Sequence, residues 1–416
     1  MKLVSSLSLL VLFACGTPSD EAFSWDAVLN SDHQAFNTVM ADLPAYEVQI
    51  NYTQIDRDAE GNATLTSQEF LVDTMRYFYP ASTVKMPTAF VAIHLLNELI
   101  ADGYDLKRSS IMHHDSVRAP QRPAVRDTSH SSGQSSLAHY INKLFVVSDN
   151  DAYNRLYEFC GQKQLNQTLQ KLGVFSNSRI RTRVGISGFD TEDNRYGNPV
   201  RFLDDNESEV FYQSESYAGD TIAYPYLTGM QKGKGYYDES LDSTIMKPFD
   251  MEDKNFINIK DLEASLQRVI LPEVFSEDQR FNLSEDDYRF LYRAMSTYPK
   301  DFDHLKHQDK YYDGYVKFFM FGDSKEEIPD HIHIFNKVGF AYGTLTDCAY
   351  IFDTEMGVEF FLTATILVND NGIFNDGRYE YDSIGIPFLA ELGRLIYEHE
   401  LTRNREHWAD FSIYLD

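Results

Sequence analysis

Pro80-Ala81-Ser82-Thr83-Val84-Lys85-Met86-Pro87-Thr88-Ala89-Phe90 opens a run rich in Ala, Leu and Met that continues to about Leu99. Its spacing predicts a helix starting near Ser82, and Pro80 and Ser82 stand where a proline and a capping serine belong. Residues three apart share a helix face, so the Lys85 amine comes within reach of the Ser82 hydroxyl. A helix start also leaves backbone N–H groups free for a developing oxyanion. The same four residues equally describe a capping serine followed by an exposed lysine. Of all the lysines in the chain, only Lys85 has a serine three positions before it.

Working outward, the apolar positions from Trp25 to Leu43 recur at helical spacing and predict one first helix. Tyr46–Tyr52 alternates at period two and reads as a strand; Glu60-Gly61-Asn62 is a turn, and Glu69 to Asp73 returns as a second strand. Helical patterns follow at Leu137–Val147, Ala152–Cys160 and Gln164–Leu172, then at Ile259–Ile270 and Ser284–Met295, with Asp261 and Ser284 as expected caps. Ala349–Phe352 and Val358–Val368 are strand-like around the turn Glu355-Met356-Gly357, and Ile386–Glu398 closes as an amphipathic helix. A sheet assembled from both chain ends around an all-helical middle is an α+β plan.

The chain has 416 residues, 43% hydrophobic and 24% charged, which suffices for a sizeable core and excludes wholesale disorder. A net charge of −27 repels phosphate backbones and anionic lipid, so no nucleic acid partner and no basic membrane patch is expected. Only 3 cysteines are present, so no disulfide framework holds the fold. Cys160 and Cys348 are expected as free buried thiols, although pairing in an oxidising compartment is open.

Two further triplets extend the first motif. Ser148-Asp149-Asn150, the only Ser-Asp-Asn in the chain, lies between two helical patterns, and Lys337-Val338-Gly339 leads into the terminal strands. In this order they resemble the S-x-x-K, S-D-N and K-T-G set of the class A β-lactamase family and its penicillin-binding relatives. The stretches Asp151–Leu156 and Phe340–Ile351 resemble the family's sequence after its second and third motifs, and the resemblance covers about 45–200 and 332–402. It implies a β-lactamase-like α/β sandwich with an antiparallel sheet built from both chain ends.

The resemblance also implies roles. Ser82 would attack a strained amide or ester carbonyl to form an acyl-enzyme, and Lys85 would take its proton through an amine kept neutral by burial and nearby cations. Ser148 would relay a proton to the leaving group, and Asn150 would position substrate and Lys85. Lys337 would supply positive charge for a substrate carboxylate, while the N–H groups of Ser82 and of Phe340, next to Gly339, would form the oxyanion hole. The substrate would be a β-lactam or a peptidoglycan-like amide, with no cofactor and no metal.

The match departs in three places. Val338 stands where the family has a hydroxyl residue, removing a hydrogen bond to the substrate carboxylate worth about 1.5–3 kcal/mol. The family's Glu-x-x-Leu-Asn deacylation loop corresponds here to Arg183–Asn194; if Asn194 takes the asparagine's place, Asp190 holds the carboxylate position by spacing, and Glu192 has the right chemistry two residues off. The same stretch also reads as an acidic solvated loop. Residues 205–329 form an enlarged insertion, and its Tyr-rich run (Tyr212, Tyr217, Tyr224, Tyr226, Tyr236, Tyr237) fits either a roof over the cleft or an interaction surface. Two other readings compete. His113-His114, His304 with His307, and His331 with His333 invite a metal site, but none forms a His-Glu-x-x-His set. A catalytically weak or inactive envelope lipoprotein, acting as a binding module or a slow D,D-peptidase, is the alternative to an efficient hydrolase.

Lys2 and the apolar run Leu3–Phe13, ending in Ala14-Cys15, resemble a bacterial lipoprotein signal in which Cys15 receives lipid. An ordinary secretory signal is the other reading. No later stretch is expected to span a bilayer. The expected organisation is a signal at 1–14, a lipidated tether at 15–24, one hydrolase domain at 25–402 and a tail at 403–416. The protein would then be lipid-anchored in the bacterial cell envelope, facing the periplasm or the exterior.

Overall fold

A computed structural model describes residues 23–219, 226–301 and 310–415. The signal and Cys15 lie outside the described residues, as do Tyr224, His304 and His307. The main sheet has five antiparallel strands in the order Ile332–Ala341, Thr344–Asp353, Val358–Leu367, Gln49–Arg57 and Ala63–Phe70. Asn51 pairs with Thr363, so the two ends of the chain meet in the middle of the sheet. Thr344–Asp353 and Val358–Leu367 are buried almost throughout because both sheet faces are covered.

Side-chain alternation assigns those faces. Ile334, Val338, Ala349, Ile351 and Leu362 pack with the C-terminal helix Ile386–Thr402. Phe335, Cys348, Tyr350 and Phe361 pack with the helical layer, which contains the serine helix Lys85–Ala101 and the helices Leu137–Val146, Asn150–Cys160, Gln162–Lys171, Ile259–Ile270 and Glu285–Ser296. The α+β architecture expected from the sequence is the one observed. Including its entry turn, the serine helix (Ala81–Ala101) is long and apolar enough to cross a membrane, against expectation, but 67% of its apolar window is buried in the protein and it serves as core.

Four local expectations need correction. Trp25–Leu43 forms the short helices Trp25–Val28, Gln34–Ala41 and Leu43–Tyr46, not one long helix. Ser31 breaks the pattern: its hydroxyl donates to Glu391 at 2.5 Å and accepts the His33 N–H at 3.0 Å. The second strand is Ala63–Phe70 and starts right after the turn; the left-handed Leu71 (φ 54°) ends it before Asp73. Asn258 caps Ile259–Ile270, while Asp261 lies one turn in and accepts from Ser176 and Ser178. The middle is not all-helical. Short strands at Ile111–His114, Val200–Leu203 and Glu209–Gln213 form one small sheet, and Ser243–Ile245, Gly235–Asp238 and Ile373–Phe374 form another.

The insertion is sewn to the body around the serine approach. Tyr77 N–H donates to Thr228 O and Thr228 N–H to Met75 O, each at 2.8 Å. Asn255 Oδ1 accepts from Arg181 N–H (2.6 Å) and Thr182 N–H (2.9 Å), and its Nδ2 donates to Thr182 O. Tyr77, Phe78, Leu227, Met251, Phe256 and Phe374 form a separate small core beneath this junction.

Candidate active site

The chain enters the serine helix through one tight 3-10 turn, Ala81–Val84, whose first residue has φ 47°. An L-residue costs roughly 1–2 kcal/mol in that region. The turn is held from both sides: Thr83 donates its N–H and its hydroxyl to Pro80 O, and the edge strand Ile332–Ala341 presses on it through Gly339. A Cβ on Gly339 would stand 2.7 Å from Ser82 N and 2.7 Å from Pro80 O, a separation no real side chain tolerates. Glycine in the third motif is what allows strand and serine turn to touch.

Lys85, the first residue of the α-helix, is fully buried. Its Nζ donates to Asn150 Oδ1 at 2.7 Å, lies 3.2 Å from Ser148 Oγ, and also donates to Ser148 O. Burial is the main cause that holds its amine well below the ordinary lysine range; the neighbouring Lys337 charge adds to this and Asp149 opposes it. Within the Ser-Asp-Asn triplet the labour is divided. Asp149 Oδ1 caps the helix Asn150–Cys160 by accepting the Ala152 N–H at 2.8 Å, which leaves Ser148 and Asn150 to face the lysine. Ser148 itself sits at φ 56°.

Lys337 approaches from the sheet. Its Nζ donates to Ser148 Oγ at 3.0 Å and to Val338 O at 2.7 Å. Complete burial pulls its pKa down to about 7, Asp347 opposing and Lys317 adding. The two neighbours lie on the opposite sheet face: Lys317 Nζ donates to Met295 O, Ile334 O and Asn336 Oδ1, while Asp347 accepts from Asn336 Nδ2 and Phe318 N–H. Burial brings Lys317 to about 7 and raises Asp347 to about 6. Nothing in the sequence marked these two; a lone lysine and a lone aspartate carry no local signal.

Ser82, Lys85, Ser148, Asn150, Lys337 and Gly339 thus converge from three segments. Among the described residues Ser82 Oγ makes no hydrogen bond, since the Lys85 amine is taken up by Ser148 and Asn150; contacts of this kind tighten when substrate arrives. Phe340 continues the strand beyond Gly339, with its ring exposed against Phe318 and Tyr381. Val338 points to the other face, buried beside Ile334 and Leu345 in the core under the C-terminal helix. A valine there fills core space, whereas the sequence reading weighed only a hydroxyl lost to the substrate.

The acidic loop is closed by Asn194, which accepts the Arg183 N–H and donates to Asp190 O. Neither acid reaches the lysine cluster. Asp190 Oδ1 accepts the Asp193 N–H at 2.8 Å, and Glu192 is an exposed partner of Arg195 at 3.4 Å. Gly185 is the loop residue that touches the motif, with φ 60° and no room for a Cβ beside the Asn150 amide. A cavity of about 290 Å³ opens here, lined by Tyr79, Gly185, Asp190, Lys254 and Tyr342. Tyr79 and Tyr342 stand three residues outside Ser82 and Gly339, and that adjacency was the available signal for them.

Among the described residues no group of three His, Cys, Asp or Glu is arranged to hold a metal ion. His114 Nε2 is 2.9 Å from Arg155 O, and His333 stacks on Phe352. Cys160 and Cys348 are free and buried, and burial pushes both thiols up.

Residues 33–209 match the family model described as the beta-lactamase enzyme family. No curated protein matches the chain. Similar solved structures include a class A beta-lactamase from Mycobacterium abscessus, at 13% identity and TM-score 0.44, covering 88% of this chain and 99% of that one. A beta-lactamase from Sphaerobacter thermophilus matches at 12% identity and TM-score 0.46, covering 92% and 100%. The chromosome-encoded beta-lactamase of Vibrio parahaemolyticus matches at 10% and 0.45, covering 87% and 97%. The segment that matches the beta-lactamase enzyme family model, residues 33–209, is the one that carries Ser82, Lys85, Ser148 and Asn150.

Proposed function

We propose that the protein is a serine hydrolase that opens a β-lactam or a related amide through an acyl-enzyme on Ser82. The observation that carries this reading is the Lys85 amine, buried and held by Ser148 and Asn150 one helical turn from Ser82. A lysine kept neutral there accepts the Ser82 proton as Oγ attacks the carbonyl. Ser148, bridged between Lys85 and Lys337, passes a proton to the departing nitrogen, and the amides beside Gly339 receive the oxyanion. No carboxylate contacts Lys85 or Ser148 among the described residues, so water attack on the ester lacks an evident base. The acyl-enzyme is expected to persist. That same feature favours a second reading, a slow D,D-peptidase-like protein.

The first fourteen residues and Cys15 support a lipid anchor in a bacterial envelope, with the tether at 15–24 ahead of one hydrolase domain. One experiment tests both parts: labelling with a fluorescent penicillin followed by fractionation. Label is expected on the wild type and absent in Ser82→Ala and Lys85→Ala, and its membrane recovery is expected to be lost in Cys15→Ser. Folded wild type that takes no label, including from a fluorophosphonate, overturns the chemistry. Deacylation faster than about 1 per second, slowed by Asp190→Ala or Glu192→Ala, overturns the persistent ester.

A further inference from the structure

We propose that Lys254, supplied by the insertion, binds a carboxylate on the acyl side chain of the substrate, whose aromatic ring packs against Tyr79 and Tyr342. This deepens the serine-hydrolase reading and rests on it. The cavity beside Asn150 is about 290 Å³, at the small end for ligand sites and suited to one arm of a ligand. Tyr79 and Tyr342 meet edge to face with centroids 5.0 Å apart, which offers aromatic surface at the mouth. Lys254 Nζ lies 5.6 Å from the ring centroids of both Phe249 and Tyr342, a cation held over two rings at cation–π distance.

The charges around the cavity single out this residue. Arg183 is spent on Glu158 (2.9 Å) and Tyr196 O (2.9 Å). Asp253 is matched by Arg181 at 3.3 Å and accepts the Thr191 hydroxyl, and Asp190 is turned onto the Asp193 N–H. Lys254 has no carboxylate partner among the described residues. In a molecule of net charge −27 an anionic ligand is repelled everywhere except beside an unneutralised cation. Lys337, which loses its proton near pH 7, supplies only part of such a charge at the reacting end, and Lys254 supplies a full one beside the cavity. The favoured substrate class is therefore an aryl-bearing acyl donor with a second carboxylate.

The test uses the full chain carrying Ser82→Ala, so that binding is read without acylation. Dissociation constants are compared for benzylpenicillin, α-carboxybenzylpenicillin and α-aminobenzylpenicillin. The carboxy compound is expected to bind about tenfold tighter than benzylpenicillin. That preference is expected to vanish in Lys254→Ala, to return in Lys254→Arg and to reverse in Lys254→Glu, with folding of each variant checked by circular dichroism and urea unfolding. No preference in the Ser82→Ala host, or a preference untouched by Lys254→Ala, overturns the proposal. Preference for the amino compound overturns it too and assigns recognition to Asp190. Wild type that takes the fluorescent label while the host shows no preference refutes the subsite alone; an unlabelled wild type with the preference intact refutes only the serine chemistry.

Discussion

Lys85 shows how a single residue changes character with its surroundings. In water its amine would hold a proton at any physiological pH and be useless as a base. Sealed behind Ser148 and Asn150 and facing Lys337, it is held well below its ordinary range. The rate of Ser82 acylation is therefore expected to rise with pH and reach its plateau far below 10.5, as stopped-flow mixing with a chromogenic cephalosporin would measure. A rise that continues to pH 10 would mean an amine charged in the resting protein. Lys85 was legible because its partner lies three positions away on the same helix. Lys317 and Asp347 were not, because distant segments bring them together on the far face of the sheet.

Between elements, the decisive contact is the edge strand on the serine turn, made through Gly339. Gly339→Ala forces backbone against backbone, and neither the strand nor the 3-10 turn can yield cheaply. We expect a loss of about 1–3 kcal/mol in urea unfolding and a drop in acylation rate larger than that stability loss explains. A fully folded, fully active Gly339→Ala protein would show that the contact is not what sets the turn. The longer helices and the terminal strands were readable because each presents several periods of its pattern. The strands of two to five residues within and around the insertion were not, since a segment that short shows no period. The first helix misled for the opposite reason: its apolar spacing is real, but Ser31 turns its hydroxyl to the C-terminal helix and the chain breaks there.

Across the whole molecule, the buried lysines tie stability to pH. Lys317 and Lys337 each give up a proton near pH 7 in the folded protein, while the unfolded chain keeps it until about 10.5. In that window the unfolded state binds more protons, so stability rises with pH by about 1.4 kcal/mol per unit for each group. Asp347 works the other way at lower pH: it is protonated up to about 6 when folded but only to 3.8 when unfolded, so stability falls between those values. Above pH 10 the buried tyrosines, Tyr153 and Tyr350 among them, end the gain because their hydroxyls ionise only on unfolding. Urea unfolding is expected to show greater stability at pH 9.5 than at pH 7.5, with part of the difference removed in Lys317→Met, since Lys85 and Lys337 also contribute to it and the buried thiols oppose it. An equal or lower stability at pH 9.5 would contradict the burial of both amines.

The pairing of Asn51 with Thr363, and of the serine turn with Gly339, also sets when the molecule can exist at all. A nascent chain emerging from the ribosome carries Ser82 early but has nothing to close the sheet around it until the last strands are synthesised. Contacts so distant along the polypeptide form late and slowly. The surroundings of Ser82 are therefore assembled only once the last strands have joined the sheet.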